Sequence, residues 1–387
     1  MPENLANPLR TLHEAAGAEF QPYASVEIVS TFGEPQAEYS ALHKACGLLD
    51  LPQRGVLELT GKDRLPFLNN LLTNQTWDKA TKSGLAAGQG AYAYYLNAKG
   101  RIIADMNVLE VGDGRTLLEL DARMVEPVRV AFDKYLFVEQ VKMTSLVGKA
   151  HEIALLGPKA NAILGEVSTP AVGELPPLGC VATQVLGVPA VVFRDDIAGV
   201  PGYVLVLDTP AAGTLWEGLL KRFGESAELG KRDLRPVGWA AFNAARVEGG
   251  RPVFDIDFGN SADPEKSVVP AEVGPREFAR GVSVTKGCYL GQEIVARMYA
   301  RQQVARQLVG FKVEGDHLPI AGAPLLDDQQ NQVGVVTSST VSPILSNAAI
   351  GLGYVKRPHF AEGTTLHVPA EGGIRKATVV KTPFVEV

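Results

Sequence analysis

The chain has 387 residues, 46% of them hydrophobic, and a net charge of −6. That length and apolar content predict two or three domains with sizeable cores and exclude a disordered polypeptide. The negative balance argues against nucleic acid or a membrane surface as a broad partner, because neutralising phosphates needs a basic face. No apolar run approaches the roughly 18 residues of a membrane-spanning helix. Cys46, Cys180 and Cys288 form an odd trio with no C-x-x-C spacing, which fits a reducing compartment rather than a disulfide scaffold or a zinc site. The opening MPENLANPLRTLHEAAGAEF has neither an apolar signal core nor transit-peptide character, so the expected location is the cytoplasm.

Glu38 to Cys46 reads as a helix and Gly47 to Asp50 as its exit. Gly55 to Thr60 alternates as a half-buried strand does, and Gly61 leads into a helix with Leu65, Leu68 and Leu72 on one face. Asp63 is placed to cap that helix, and Pro66 falls early enough to be tolerated. The same plan recurs at Ile153 to Leu164, which superimposes on Leu57 to Leu68 with its glycine in register. Thr116 to Leu120 leading into Met124 to Tyr135, and Tyr203 to Leu207 into Pro210 to Phe223, repeat the passage from strand to helix. A duplicated β-α unit explains this economically and predicts helices layered on antiparallel-rich sheets, an α+β fold.

Between the copies, Gln89 to Val108 reads as a hairpin: an aromatic strand, a turn at Asn97 to Gly100, and a return strand carrying Asp105. Asp105 stands among Ile103, Met106 and Val108, where partial burial would perturb its pKa unless it simply faces outward. Thr169 to Gly179 reads as a loop and Gly224 to Pro236 as a charged connection. Trp239 to Glu248 is a helix stopped by Gly249, Gly250 and Pro252. From Gln307 onward, five short strands (308–313, 334–338, 349–355, 365–368 and 377–380) read as a small β-barrel.

The string Lys286-Gly287-Cys288-Tyr289-Leu290-Gly291-Gln292-Glu293 sets one thiol between a glycine turn and a helix start. Unpaired helix N–H groups and Lys286 would favour its thiolate and raise its nucleophilicity or metal affinity. Many free cysteines are instead buried small hydrophobes. The arginines of the following helix, Ile294 to Arg301, are positioned to hold an anion.

These residues carry a resemblance. KGCYLGQE followed by VAR resembles the K-G-C-[YF]-x-G-Q-E signature of YgfZ-type folate-binding proteins, within the superfamily of the glycine-cleavage T-protein, an aminomethyltransferase. The hairpin is similar to that superfamily's folate strand, which implies Tyr92 beside the folate and Asp105 facing the pterin N5. Asp121 matches a position that usually holds a pterin-contacting asparagine. Arg246, with Glu248, Gly250 and Pro252, resembles R-x-E-x-G-x-P and would supply a fixed cation near the ligand. Asp257, Pro270 and Glu272 fit the stretch before the K-G string, and Thr337 to Leu345 is similar to the T-S-G-x-x-S-P-x-L of the T-protein barrel. Two departures stand out: Ala104 replaces a first aspartate, and the G-E-x-G-[YFV]-E string that grips the pterin has no glutamate in Gly199 to Val204.

The resemblance implies a T-protein-like folate-binding domain over 1–304, with its second subdomain from about 150, and a barrel domain over 305–387. It also implies tetrahydrofolate, or a one-carbon derivative, as cofactor. The function expected from Cys288 is accessory: a folate-binding factor supporting assembly or repair of iron–sulfur enzymes, with Cys288 and Asp105 as working residues and iron–sulfur client or assembly proteins as partners. The alternative is an aminomethyltransferase passing a one-carbon unit to tetrahydrofolate, with Asp105 as its carboxylate. A docking platform with a vestigial pocket is the third reading.

Overall fold

A computed structural model describes residues 7–224, 232–301, 303–315 and 317–386. The chain divides into two compact units: residues 1–93 with 105–242, and residues 94–104 with 243–387. No helix among the described residues is long and apolar enough to cross a membrane.

The first unit is built on two sheets. One has five strands in the order Lys142–Ser145, Arg54–Thr60, Arg115–Asp121, Ile102–Gly112 and Gln89–Leu96. The other has seven, in the order Ser168–Thr169, Cys180–Val185, Val188–Arg194, Gly202–Asp208, Ala150–Leu156, Cys46–Asp50 and Leu234–Val237. Cys46–Asp50 pairs antiparallel with Ala150–Leu156, and Arg54–Thr60 antiparallel with Arg115–Asp121, whereas Leu234–Val237 runs parallel to Cys46–Asp50. The mixed α and β content and antiparallel bias are those expected from the sequence.

The repeated β-α units are present. Arg54–Thr60 leads to the helix Arg64–Leu71, and Ala150–Leu156 to Ala160–Val167. At each crossing a glycine adopts positive φ, +104° at Gly61 and +123° at Gly157. A Cβ there would sit 2.0 Å from the Gln140 carbonyl oxygen or 2.7 Å from that of Ala45, which explains why the glycines fall in register. Arg115–Asp121 into Ala122–Asp133, and Gly202–Asp208 into Ala212–Phe223, complete the set. Ile153, Leu155, Ile163, Leu164, Leu205, Leu215 and Leu219 pack into one core under the seven-stranded sheet.

Three local expectations change. The exit at Gly47 to Asp50 is a strand, Cys46–Asp50, buried at every position; a short apolar run covered on both faces shows no alternation. Asp63 precedes its helix without capping it, because its carboxylate accepts from the Gln140 N–H at 2.8 Å. In the connection from Gly224 to Pro236, residues 225–231 lie outside the described residues, and Leu234–Val237 is a strand.

In the second unit, Arg306–Val313, Ala348–Lys356, Gln332–Ser342, Pro324–Leu326, Thr365–Ala370 and Gly373–Val380 close into a barrel. It has six strands, one more than expected. Pro324–Leu326 has only three residues, too short to show a period. Phe311, Leu325, Val355, Leu366 and Ala377 fill its interior.

Candidate functional site

The site is built on the facing sides of the two sheets in the first unit. Side chains two apart on a strand share a face, so Asp105 and Asn107 project together, as do Glu119 and Asp121. The register places Asn107 opposite Glu119, and Asp121 opposite Arg54. The result is a polar layer on strands that are otherwise largely apolar and buried.

Asp105 is 9% exposed. Its Oδ2 accepts the Tyr92 hydroxyl at 3.0 Å, and its Oδ1 is buried with no hydrogen-bond partner among the described residues. Burial pushes its pKa up to about 6; Arg54 and the Tyr92 hydroxyl pull it down, while Glu119 and Asp121 add to the rise. A carboxylate titrating near neutrality, with one lone-pair face unused, suits proton exchange or stabilisation of a nearby positive charge.

Behind Asp105 lies a network that the sequence reading did not identify. Arg54 Nε donates to Glu119 Oε1. Asn107 Nδ2 donates to Glu119 Oε2 at 2.8 Å and to Asp195 Oδ2 at 3.0 Å. Glu152, from the seven-stranded sheet, is 1% exposed, and no described donor reaches either of its oxygens. Burial first and the adjoining Glu119 carboxylate next hold Glu152 well above the usual carboxylate range. With no described donor in reach, burial favours the neutral form of Glu152 beside Glu119. The signal was present in the sequence: Glu119 sits between Leu118 and Leu120, and Glu152 directly before Ile153-Ala154-Leu155-Leu156.

Asp121 is buried and fully engaged. It caps the helix Ala122–Asp133 through the Arg123 N–H at 2.9 Å, and it also binds the Arg123 guanidinium at 2.9 and 2.6 Å. Val200, where the superfamily string has its first glutamate, is 2% exposed in the turn before Gly202–Asp208.

The other candidates belong to the second unit. Arg246 is 1% exposed, not a surface residue. Its guanidinium donates to Asp257 at 2.6 Å, Ser338 at 2.7 Å and Asn243 at 3.0 Å. Asp257 also accepts from Thr337 at 2.6 Å and Ser338 at 2.7 Å, which accounts locally for the Thr-Ser pair of the barrel motif.

Cys288 is exposed. The helix expected over Ile294 to Arg301 spans Gln292–Arg301, so its first helical amides lie four residues beyond the sulfur. Lys286 is 8% exposed, and its ammonium lies 5.0 Å from the centre of the Tyr289 ring. Gly291 has φ +79°, and a Cβ there would meet the Asn97 carbonyl oxygen at 2.6 Å. Gly287 precedes Cys288 in the same loop, and Gln292 N–H closes a turn onto the Tyr289 carbonyl at 3.2 Å. Glu293 pairs with Arg297 at 2.7 Å, so this arginine has a carboxylate partner already. The string therefore locks the hairpin tip of its own unit through a close backbone approach. No group of three or more His, Cys, Asp or Glu side chains among the described residues is arranged to hold a metal ion.

Two family models match: the GCVT N-terminal domain over residues 9–272 and the glycine cleavage T-protein C-terminal barrel domain over residues 306–386. The chain is 26% identical over 380 residues to a protein named aminomethyltransferase from Chloroherpeton thalassium, covering 97% of this chain and 98% of that one. It is 27% identical over 379 residues to an aminomethyltransferase from Caldanaerobacter subterraneus, covering 97% and 95%. Among solved structures, glycine cleavage system aminomethyltransferase T from Bartonella henselae superposes with a TM-score of 0.81 at 25% identity, covering 98% of this chain and 97% of that one. Relatives named for aminomethyl transfer overturn the expectation of an iron–sulfur accessory factor centred on Cys288, and nothing supports iron–sulfur partners. The narrower YgfZ-type placement, read from the K-G-C string, is not what the matching models describe. Matched across both domains, this chain belongs to the glycine cleavage T-protein family.

Proposed function

We propose that this protein is a folate-dependent aminomethyltransferase that passes a one-carbon unit to tetrahydrofolate, with Asp105 as its working carboxylate. The observation that carries this reading is Asp105 itself: buried, its pKa raised to about 6, and carrying an Oδ1 without a partner among the described residues. The full-length likeness to proteins named aminomethyltransferase supports it. We also propose the division into a folate-binding body to residue 304 and a barrel from 305.

The residues present fit a reduced pterin. Its ring N–H groups are donors, and Asp105 Oδ1 and Asn107 Oδ1 are buried acceptors that no donor among the described residues reaches. Val200 contributes no acceptor, so Asp105 is the carboxylate assigned to the ligand here. Tetrahydrofolate would supply a nucleophilic ring nitrogen to receive the one-carbon unit. Tyr92, bonded to Oδ2, fixes the rotation of the Asp105 carboxyl and leaves Oδ1 free to face the ligand. As a carboxylate, Asp105 stabilises positive charge developing nearby and accepts a proton; as an acid, it returns that proton to a departing amine. Its raised pKa gives it both forms near neutrality.

Calorimetric titration with tetrahydrofolate tests the reading. Saturable binding that Asp105→Asn weakens about tenfold or more is expected, the order of one charge-assisted hydrogen bond. No binding, or identical binding by the variant, would remove Asp105 from the site.

A further inference from the structure

We propose that Glu119 and Glu152 are positioning residues for Asp105: Glu152, held as a neutral acid, donates its proton to Glu119, and Glu119 in turn holds Arg54. The pair thereby decides how much of the guanidinium charge reaches Asp105. The inference deepens the proposed function and rests on it for its catalytic meaning.

The geometry supplies the argument. Arg123 is bonded to Asp121 through two nitrogens; Arg54 stands opposite Asp121 in the strand register and holds Glu119, which leaves it as the cation acting on both Glu119 and Asp105. Arg54 Nε is committed to Glu119. Asn107 holds the second oxygen of Glu119 and is itself fixed to Asp195, so Glu119 cannot turn away without breaking its bonds to both Arg54 and Asn107. Were Glu152 ionised, two adjoining carboxylates would compete for one guanidinium in a region of low dielectric. Sharing a proton is the way such a pair persists.

The titratable and charged groups facing Asp105 come from every packed element. Tyr23, Tyr92, Arg54, Glu119 and Asp121, all from strands, act on Asp105 directly; Arg123 of the following helix is paired with Asp121, Asp195 accepts from Asn107, and Glu152 of the seven-stranded sheet adjoins Glu119. The Tyr23 hydroxyl is held above its ordinary range by burial. That leaves Glu119, Arg54 and Glu152 as the groups able to set the charge on Asp105 around neutral pH.

The test is a carbon-13 NMR titration of aspartate side-chain carboxyls in the full-length chain without ligand, with the Asp105 resonance assigned by its loss in Asp105→Asn. Glu119→Gln removes the competing charge and frees Arg54 toward Asp105, so the Asp105 midpoint is expected to fall by about one pH unit, a tenfold change in its acid constant. Glu152→Gln replaces the donated proton with an amide N–H and keeps the charge pattern, so the midpoint is expected to stay in place. An unmoved midpoint in Glu119→Gln, or a marked fall in Glu152→Gln, overturns the proposal. Should Glu119→Gln not fold, Arg54→Gln asks the same question with opposite sign: the midpoint rises, and an unmoved midpoint overturns the proposal. Failure of tetrahydrofolate to bind would sink the functional reading alone, because this titration is read on the free protein.

Discussion

Asp105 carries a folding cost that depends on pH. Its pKa is raised, by burial first, to about 6, so the folded state holds the proton more tightly than the unfolded chain does. The stability from protonated Asp105 is complete below the ordinary carboxylate range and is lost as pH rises through about 6. Asp105→Asn keeps an acceptor for the Tyr92 hydroxyl and should stabilise the protein by roughly 2 kcal/mol at pH 8 while changing little at pH 4. Chemical denaturation at the two pH values checks this, and an equal gap at both contradicts it. Asp50 behaves oppositely. Burial opposes its ionisation, but His151 and His13, whose Nε2 atoms lie 2.7 and 2.8 Å away, outweigh that and depress its pKa. Its contribution is present above the ordinary carboxylate range and is lost as pH falls below it. Asp50→Asn should cost about 3 kcal/mol at pH 7, the scale of buried hydrogen bonds made to a charged carboxylate, measured by the same denaturation. Asp105 was legible as a candidate because a carboxylate stood among Ile103, Met106 and Val108. Glu119 and Glu152 stand among apolar neighbours in the same way, but what they do with Arg54 was not legible, since it depends on pairing across strands far apart in sequence.

At the level of elements, the β-α units and the hairpin were legible because their periods and glycine punctuation are local. Cys46–Asp50 was missed because its place within a sheet depends on pairing with Ala150–Leu156, about a hundred residues away, on one side and Leu234–Val237 on the other. The glycines of the K-G-C string were legible as a turn, but their partner was not. Gly291 presses on the Asn97 carbonyl, and Gly100 lies within 3.1 Å of where a Gly291 Cβ would stand. Gly291→Ala combines a left-handed backbone with that clash and should cost about 1–3 kcal/mol. Cys288→Ser, on an exposed position in the same loop, should change stability by less than about 0.5 kcal/mol. Thermal unfolding of the two variants separates a string that packs from a string whose sulfur matters.

Over the whole molecule, the sequence showed a mixed fold ending in a barrel, and the glycine cleavage T-protein models match both parts. What it did not show was that Arg246 and Asp257 form a buried pair fastened to Thr337 and Ser338 of the barrel strand. Read alone, Arg246 was a helix-end cation available to a ligand. In the folded chain its charge is matched by Asp257, so Asp257→Ala should destabilise the second unit by about 3–5 kcal/mol through an uncompensated buried guanidinium. Calorimetric melting of the full-length chain would register this as a lowered transition. The account as a whole stands on Asp105 serving aminomethyl transfer. Its most direct test is transfer of a one-carbon unit from an aminomethyl donor to tetrahydrofolate, followed by the folate product, in wild type and in folded Asp105→Asn. The account expects turnover in the wild type and a loss of about 100-fold or more in the variant, the scale of a removed general acid–base group. Turnover that survives unchanged in Asp105→Asn would contradict it.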